Sequence, residues 1–181
     1  TPIMKVLILV LLSSVFTWFT CEAQSMPGSK FNAGLEVAIP AGKVTSTYKT
    51  GFGGSLKYEY RADTGFYFTL SAGYISFPVT DNAKLAMQQA GYNRSSFGFI
   101  PIKIGGKFYI GKQFFGEVQL GNTFEVNVDR LASGAASAFT FSPGAGYSFD
   151  NGLELGARYE GWFTSGLFSQ YAFRVAYRFR L

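Results

Sequence analysis

Strict alternation of apolar and polar residues, repeated in eight successive segments, constrains this chain more than any other feature. Successive side chains of a β-strand point to opposite faces, so this period predicts strands with one apolar and one polar face. The apolar face of the last segment consists of Tyr171, Phe173, Val175, Tyr177 and Phe179. Its other face carries Arg174 and Arg178. We therefore predict an all-β protein of eight strands.

Charged side chains avoid the apolar faces of all eight segments, although charged residues make up 15% of the chain. The charged residues that we predict to share the opposite faces are Glu36, Lys57, Glu59, Lys103, Lys107, Glu117, Glu154, Arg158, Glu160, Arg174 and Arg178. Many of the apolar positions hold large aromatic residues, which would overfill the lumen of an eight-stranded barrel. Turned outward, the same positions form a continuous apolar belt of the kind that lipid requires.

Aromatic residues lie toward both ends of the apolar faces, with aliphatic residues between them. Tyr58 and Phe108 adjoin one set of turns, Tyr74 and Tyr171 lie toward the other ends, and Leu70 is in mid-strand. Two aromatic girdles around an aliphatic band are typical of the two bilayer interfaces. The sequence thus predicts an antiparallel, up-and-down transmembrane β-barrel in an outer membrane. A soluble, lipocalin-like carrier with the same number of strands is the alternative.

The connections between the segments alternate in length. Short turns are predicted at 62–65, 111–113 and 150–152, and the long connections lie near 40–51, 78–96, 126–137 and 162–169. In barrels of this kind the short turns face the periplasm and the long loops face outward. Ten strands remain an alternative if residues 40–50 or 126–137 pair as strands.

The outer loops carry the residues that could meet a partner. Asp81 as N-cap and Gly91 as stop predict a two-turn helix between them. The basic loop residues that could contact lipopolysaccharide phosphates are Lys43, Lys49, Lys84, Arg94 and Arg130. In the last loop, Trp162, Phe163, Leu167 and Phe168 could form an adhesive apolar tip, but anchoring in the outer girdle is the favoured interpretation.

The N-terminal stretch is typical of an export signal. Lys5 precedes an apolar run too short to span a bilayer as a helix, and Cys21-Glu22-Ala23 offers small residues to a signal peptidase. We predict residues 1–23 to comprise a cleavable signal peptide with upstream residues, and 24–181 to form the barrel domain. Lipid attachment to Cys21 is a less favoured alternative, because Thr20 and Trp18 stand where small and Leu-like residues are needed.

Composition excludes several classes of function. The chain contains no His and one Cys, so a His-based triad, a His metal site and an internal disulfide have no residues to build them. The net charge of +5 is too modest and too scattered for a nucleic-acid binder. We therefore predict no catalytic, cofactor-binding or metal-binding residues.

The signal peptide, the eight alternating strands and the closing strand from Ala172 to Leu181 resemble the small outer-membrane barrels of the OmpA/OmpX type. The resemblance implies insertion by the barrel assembly machinery and contact with outer-membrane lipid and lipopolysaccharide. Enzymes among barrels of this size rely on a catalytic His, which this chain lacks.

Two interpretations of the predicted lumen follow. In the favoured one, the charged side chains neutralise one another and plug the barrel, leaving a structural or surface-interaction role. In the other, the lumen is a small, low-conductance pore. A lipid-active enzyme is the third and least favoured hypothesis.

Overall fold

A computed structural model describes residues 28–91, 93–126, 137–163 and 167–180. Eight antiparallel strands pair in sequence order and close into a barrel, with β1 against β8. The strands are β1 Lys30–Ala41, β2 Gly51–Asp63, β3 Phe66–Pro78, β4 Ser96–Ile110, β5 Phe114–Val126, β6 Ser137–Ser148, β7 Leu153–Phe163 and β8 Leu167–Arg180. The predicted eight-stranded barrel is confirmed. The ten-strand alternative is wrong, because β1 pairs directly with β2 and β5 directly with β6.

The two faces of the barrel are those that the alternation predicts. Leu35, Ile104 and Val175 point outward and are 75%, 64% and 52% exposed, whereas Glu59 and Lys107 are fully buried in the lumen. Apolar side chains thus cover the outside of the barrel, and charged and uncharged polar ones occupy much of its interior. A soluble carrier has the opposite distribution, so that alternative is wrong.

The short turns join β2 to β3, β4 to β5 and β6 to β7, and we call this side the short-turn end of the barrel. Gly111 and Gly152 adopt φ values of 74° and 93°, which lie in the left-handed region where glycine has no steric penalty. The Asn151 carboxamide oxygen accepts a hydrogen bond of 3.1 Å from the backbone N–H of Leu153. These turns hold adjacent strands in register.

The opposite, long-loop end is partly covered by ordered connections. The chain after β1 forms a short 3-10 helix, Gly42–Ser46, and the predicted helix is present as α1, Asp81–Gln89. Its predicted N-cap is wrong: Thr80 occupies that position and makes no side-chain cap, because its hydroxyl instead donates to the carbonyl of Ser46 at 2.6 Å. No helix in the described ranges is long and apolar enough to cross a membrane. The predicted signal peptide and Arg130 lie outside the described residues.

Candidate functional site in the barrel lumen

All eleven charged residues predicted for the polar faces lie in the lumen, and we call them the charged network. They project from β1, β2, β4, β5, β7 and β8, and most are buried. Their burial follows from closure of the barrel, since alternate residues of every strand must face one narrow interior. The network is therefore an interior polar core whose ions need partners.

The most deeply buried group of the charged network surrounds Lys107 on β4. Its ammonium lies 2.7 Å from Glu59 Oε1 and 2.6 Å from Glu154 Oε2, and the three side chains are 0–2% exposed. Asn32 donates to the same oxygen of Glu59 at 3.0 Å, and Ser148 donates to that of Glu154 at 3.0 Å. One lysine thus contacts two carboxylates on strands that are not adjacent to β4, and Arg174 Nη1 lies 3.8 Å from the other oxygen of Glu154.

A second group lies nearer the middle of the barrel. The Arg158 guanidinium reaches across the lumen to Glu36, with Nη2 2.7 Å from Oε2. Arg174 approaches the other oxygen of Glu36 at 3.5 Å. Lys57 and Glu117 form a pair at 2.6 Å. These contacts tie β1, β2, β5, β7 and β8 together from the inside.

Glu160 is the most highly coordinated carboxylate of the charged network. Its donors are Lys103 (2.5 Å), Trp162 Nε1 (2.7 Å), Arg158 Nε (2.8 Å), Gln170 (3.2 Å) and Ser142 (3.3 Å). Five donors from β4, β6, β7 and β8 compensate the cost of removing this carboxylate from water.

Arg178 differs from the other cations of the charged network. Within the described part of the chain it forms no ion pair with a carboxylate. Its guanidinium donates to the Tyr109 hydroxyl at 3.3 Å and to the Phe149 carbonyl at 3.1 Å. The structure therefore places Arg178 in the lumen, at the short-turn end, beside neutral oxygens.

Sequence reasoning missed a second kind of packing at the long-loop end of the lumen. We call Tyr48, Phe77, Phe99, Trp162 and Phe168 the aromatic cluster. The Trp162 and Phe168 rings stack with centroids 4.6 Å apart, and the ring of fully buried Phe77 meets that of Trp162 edge-on at 6.1 Å.

The predicted positions of Trp162 and Phe168, at an adhesive tip or in the outer girdle, are wrong. Both side chains turn inward, and Trp162 is only 3% exposed because its indole fills the lumen beside Glu160. Phe163 points outward, as predicted for a girdle residue. The side chain of Leu167 is not among those that the structure describes. The alternation indicates this inward position, because Trp162 lies two residues after the inward-facing Glu160 on β7 and therefore on the same face.

Little empty space remains between these groups. A cavity of about 30 Å³ lies in the middle of the barrel, bordered by Glu36, Lys57, Glu117 and Arg174. Such a volume holds roughly one or two water molecules. Among the described residues, no group of three or more His, Cys, Asp or Glu side chains is arranged to hold a metal ion.

The basic residues of the outer loops have different environments. Lys49 pairs with Asp81 at 3.1 Å, and Arg94 lies 3.6 Å from Glu125. Lys43 is exposed on the 3-10 helix, and Lys84 is half-buried on α1. The structure thus brings two of these cations, Lys49 and Arg94, to carboxylates.

A closed barrel with an apolar outside, two aromatic girdles and a charged interior defines the class of small outer-membrane β-barrels. In agreement, the sequence matches the family described as outer membrane protein beta-barrel domain over residues 8–179. The protein belongs to this family and resides in the outer membrane. No curated protein matches the sequence significantly.

Solved structures of low sequence identity share the fold. The attachment invasion locus protein Ail of Yersinia pestis is 15% identical, with a TM-score of 0.57, and the alignment covers 85% of this chain and 100% of Ail. The N-terminal β-barrel domain of Pseudomonas aeruginosa OprF is 12% identical, with a TM-score of 0.55 and coverages of 84% and 98%. Neisserial surface protein A is 12% identical, with a TM-score of 0.50 and coverages of 85% and 97%.

Proposed function

We propose that this protein is a non-enzymatic outer-membrane barrel with a closed lumen, which acts as a structural element and presents the long-loop end for surface interactions. The observation that carries the proposal is the filling of the lumen by two different means, the charged network and the aromatic cluster. With a central cavity of only about 30 Å³, solutes have no room to pass, and the surface available to a partner lies outside the lumen.

The chemistry of the lumen supports the absence of catalysis. The sequence has no His, and the buried carboxylates of Glu36, Glu59, Glu154 and Glu160 are each engaged by cationic side chains. A general acid or base needs access to a substrate and a proton that it can exchange. Carboxylates held in ion pairs behind an aromatic cluster meet neither condition.

The proposal includes removal of the signal peptide and the orientation of the barrel in the membrane. Removal of residues 1–23 would release the barrel domain 24–181 for insertion by the barrel assembly machinery, with the short turns in the periplasm and the long loops outside. N-terminal sequencing of the protein from outer membranes should start at Gln24. A chain that begins at residue 21 with a lipid-modified cysteine would contradict this processing.

We further propose that the outer surface contacts anionic saccharides such as lipopolysaccharide. Lys43 and Lys84 supply positive charge on two separate connections of the long-loop end, where phosphate or sulfate groups would be attracted. Ail, which has the same fold, has been crystallised with the heparin analogue sucrose octasulfate, and this makes the compound a suitable probe.

The experiment compares binding of sucrose octasulfate and of lipopolysaccharide to the folded barrel in neutral lipid nanodiscs. The double variant Lys43→Ala/Lys84→Ala should bind several-fold more weakly than the unaltered chain. Lys49→Ala, which removes a cation of the same long-loop end that is already paired with Asp81, should bind as the unaltered chain does. Equal binding by both variants would contradict an outer-surface role for these cations.

A further inference from the structure

A cavity of about 630 Å³ opens at the short-turn end of the lumen, opposite the long loops. Four cationic side chains border it: Lys30 from the start of β1, Arg61 from the end of β2, Lys112 from the β4–β5 turn and Arg178 from β8. Asp150 is the single carboxylate among its lining residues within the described ranges. The lining therefore has a formal excess of positive charge.

The carboxylates deeper in the lumen do not balance this excess. Glu59 and Glu154 are the nearest in the charged network along their strands; both contact Lys107, and Glu154 also lies 3.8 Å from Arg174. Apart from Arg178, the network has as many cations as carboxylates, five of each, so no carboxylate is left over for the cavity. Asp150 itself accepts a long hydrogen bond of 3.4 Å from Gln113. The cations of the cavity thus retain most of their capacity to bind an anion.

Two of the cations are positioned by aromatic rings. The Lys30 ammonium lies 4.0 Å from the centroid of the Tyr67 ring and 4.7 Å from that of Tyr109. The Tyr109 hydroxyl in turn is 3.3 Å from Arg178 Nη1. Cation–π contacts hold a charge in place without neutralising it.

Arg178 supplies an independent indication of a ligand. The residue is 91% buried, since 9% of its surface is exposed, and its Nε has no hydrogen-bond partner in the described part of the structure. A buried guanidinium N–H without an acceptor is costly, and an oxyanion is its best partner.

We propose that this cavity, the cationic mouth, is a binding site for an oxyanion, either a carboxylate or a phosphate group. The mouth faces the aqueous phase at the end of the lumen rather than the lipid, so the ligand approaches from water as a soluble anion or as an anionic group of a polymer. Arg178 and Lys30 form the floor of the site, and Arg61 and Lys112 form its exposed rim.

The test uses the folded chain in a non-ionic maltoside detergent, with inorganic phosphate and acetate as separate probes at low ionic strength. Line broadening of the phosphorus resonance of phosphate and of the methyl resonance of acetate reports binding. Saturable broadening by either probe is expected. The probe that binds more tightly identifies the source as a phosphate-bearing or a carboxylate-bearing ligand.

Variants then locate the site. Arg178→Gln should raise the dissociation constant at least about tenfold, because hydrogen bonds from a charged donor are lost. The exposed pair Arg61→Ala/Lys112→Ala, which does not disturb the buried lumen, should raise it several-fold. The rim variant Lys112→Ala alone should also weaken binding, and its matched control Lys49→Ala, which removes one charge from the long-loop end where it is paired with Asp81, should leave binding unchanged.

Two results would overturn the proposal. The first is the lack of saturable binding by either probe. The second is an equal loss of affinity in the control and rim variants, because binding would then follow net charge alone.

Discussion

The charged network and the aromatic cluster fill one lumen by opposite physical means. Around Lys107, ions 2.6–2.7 Å apart compensate one another, and each oxygen or ammonium depends on a particular partner. Around Phe77, rings pack with centroids 5.6–6.1 Å apart from those of its neighbours. An eight-stranded barrel can thus fill its interior with paired charges in one region and with packed rings in another.

The two regions differ in how they should respond to change. A buried ion that loses its partner retains its full desolvation cost, whereas an apolar side chain that is slightly reshaped loses only a few contacts. They meet at one hydrogen bond, from the Trp162 indole to Glu160.

The largest effect is expected from Lys107→Met. It leaves the carboxylates of Glu59 and Glu154 buried without their shared cation, at a cost of about 3–5 kcal/mol in the free energy of unfolding. Urea titration of residues 24–181 in lipid vesicles, followed by the fluorescence of Trp162, the one Trp in that range, measures this cost. The exposed control Lys112→Met should be nearly neutral.

Rescue sharpens this first prediction. Adding Glu59→Gln and Glu154→Gln to Lys107→Met removes the stranded charges, so much of the lost stability should return. If the triple variant is as unstable as the single one, packing of the lysine stem, and not charge pairing, governs this region.

A smaller loss is expected from Trp162→Phe, which keeps an aromatic ring but removes the indole N–H that donates to Glu160. Hydrogen bonds to charged groups contribute roughly 1.5–3 kcal/mol, and four other donors to Glu160 remain, so the lower end of this range is expected. Because this change deletes the fluorescent reporter, circular dichroism should follow unfolding. A loss as large as that of Lys107→Met would show that the two regions are not separable.

Within the apolar region, Ile75→Val should cost only about 0.5–1.5 kcal/mol, since it removes one methylene from a side chain that is 3% exposed. The outward, lipid-facing Ile104→Val serves as the matched control and should be close to neutral in the same urea titration. Equal losses of stability at the two positions would indicate that packing of Ile75 inside the lumen adds no stability.

The smallest effect is expected from Lys49→Ala at the long-loop end. Its pair with Asp81 is 48% and 87% exposed, so water and salt screen it, and the cost should be about 0–1 kcal/mol. Repeating the measurement at high salt should abolish even this difference. A loss of stability above that range would mean that the Lys49–Asp81 contact helps to hold the long-loop end together.

The strands, their outward faces and the identity of the inward charges could be predicted from the sequence, because alternation is a local property of each strand. Partners across the lumen could not. Arg158 meets Glu36 across 122 residues and Lys107 meets Glu59 across 48. Such pairs depend on the stagger of the closed barrel, which no single segment encodes.

The aromatic cluster was missed for a different reason. Ile75 and Phe77 occupy inward-facing positions of β3. Inward positions are expected to be polar, but at the long-loop end these two are apolar. The sequence alone favours a lipid-facing position for Trp162 and Phe168, because apolar residues in an outer-membrane barrel are expected to face lipid. Only the closed barrel shows that several strands contribute rings to one interior region.

The most direct test of the account is single-channel recording in planar lipid bilayers. With the lumen filled by the charged network and the aromatic cluster, we expect the reconstituted chain to give no stable unitary openings over a wide range of voltage. Reproducible openings of one defined conductance would contradict a closed lumen and would support a small pore instead.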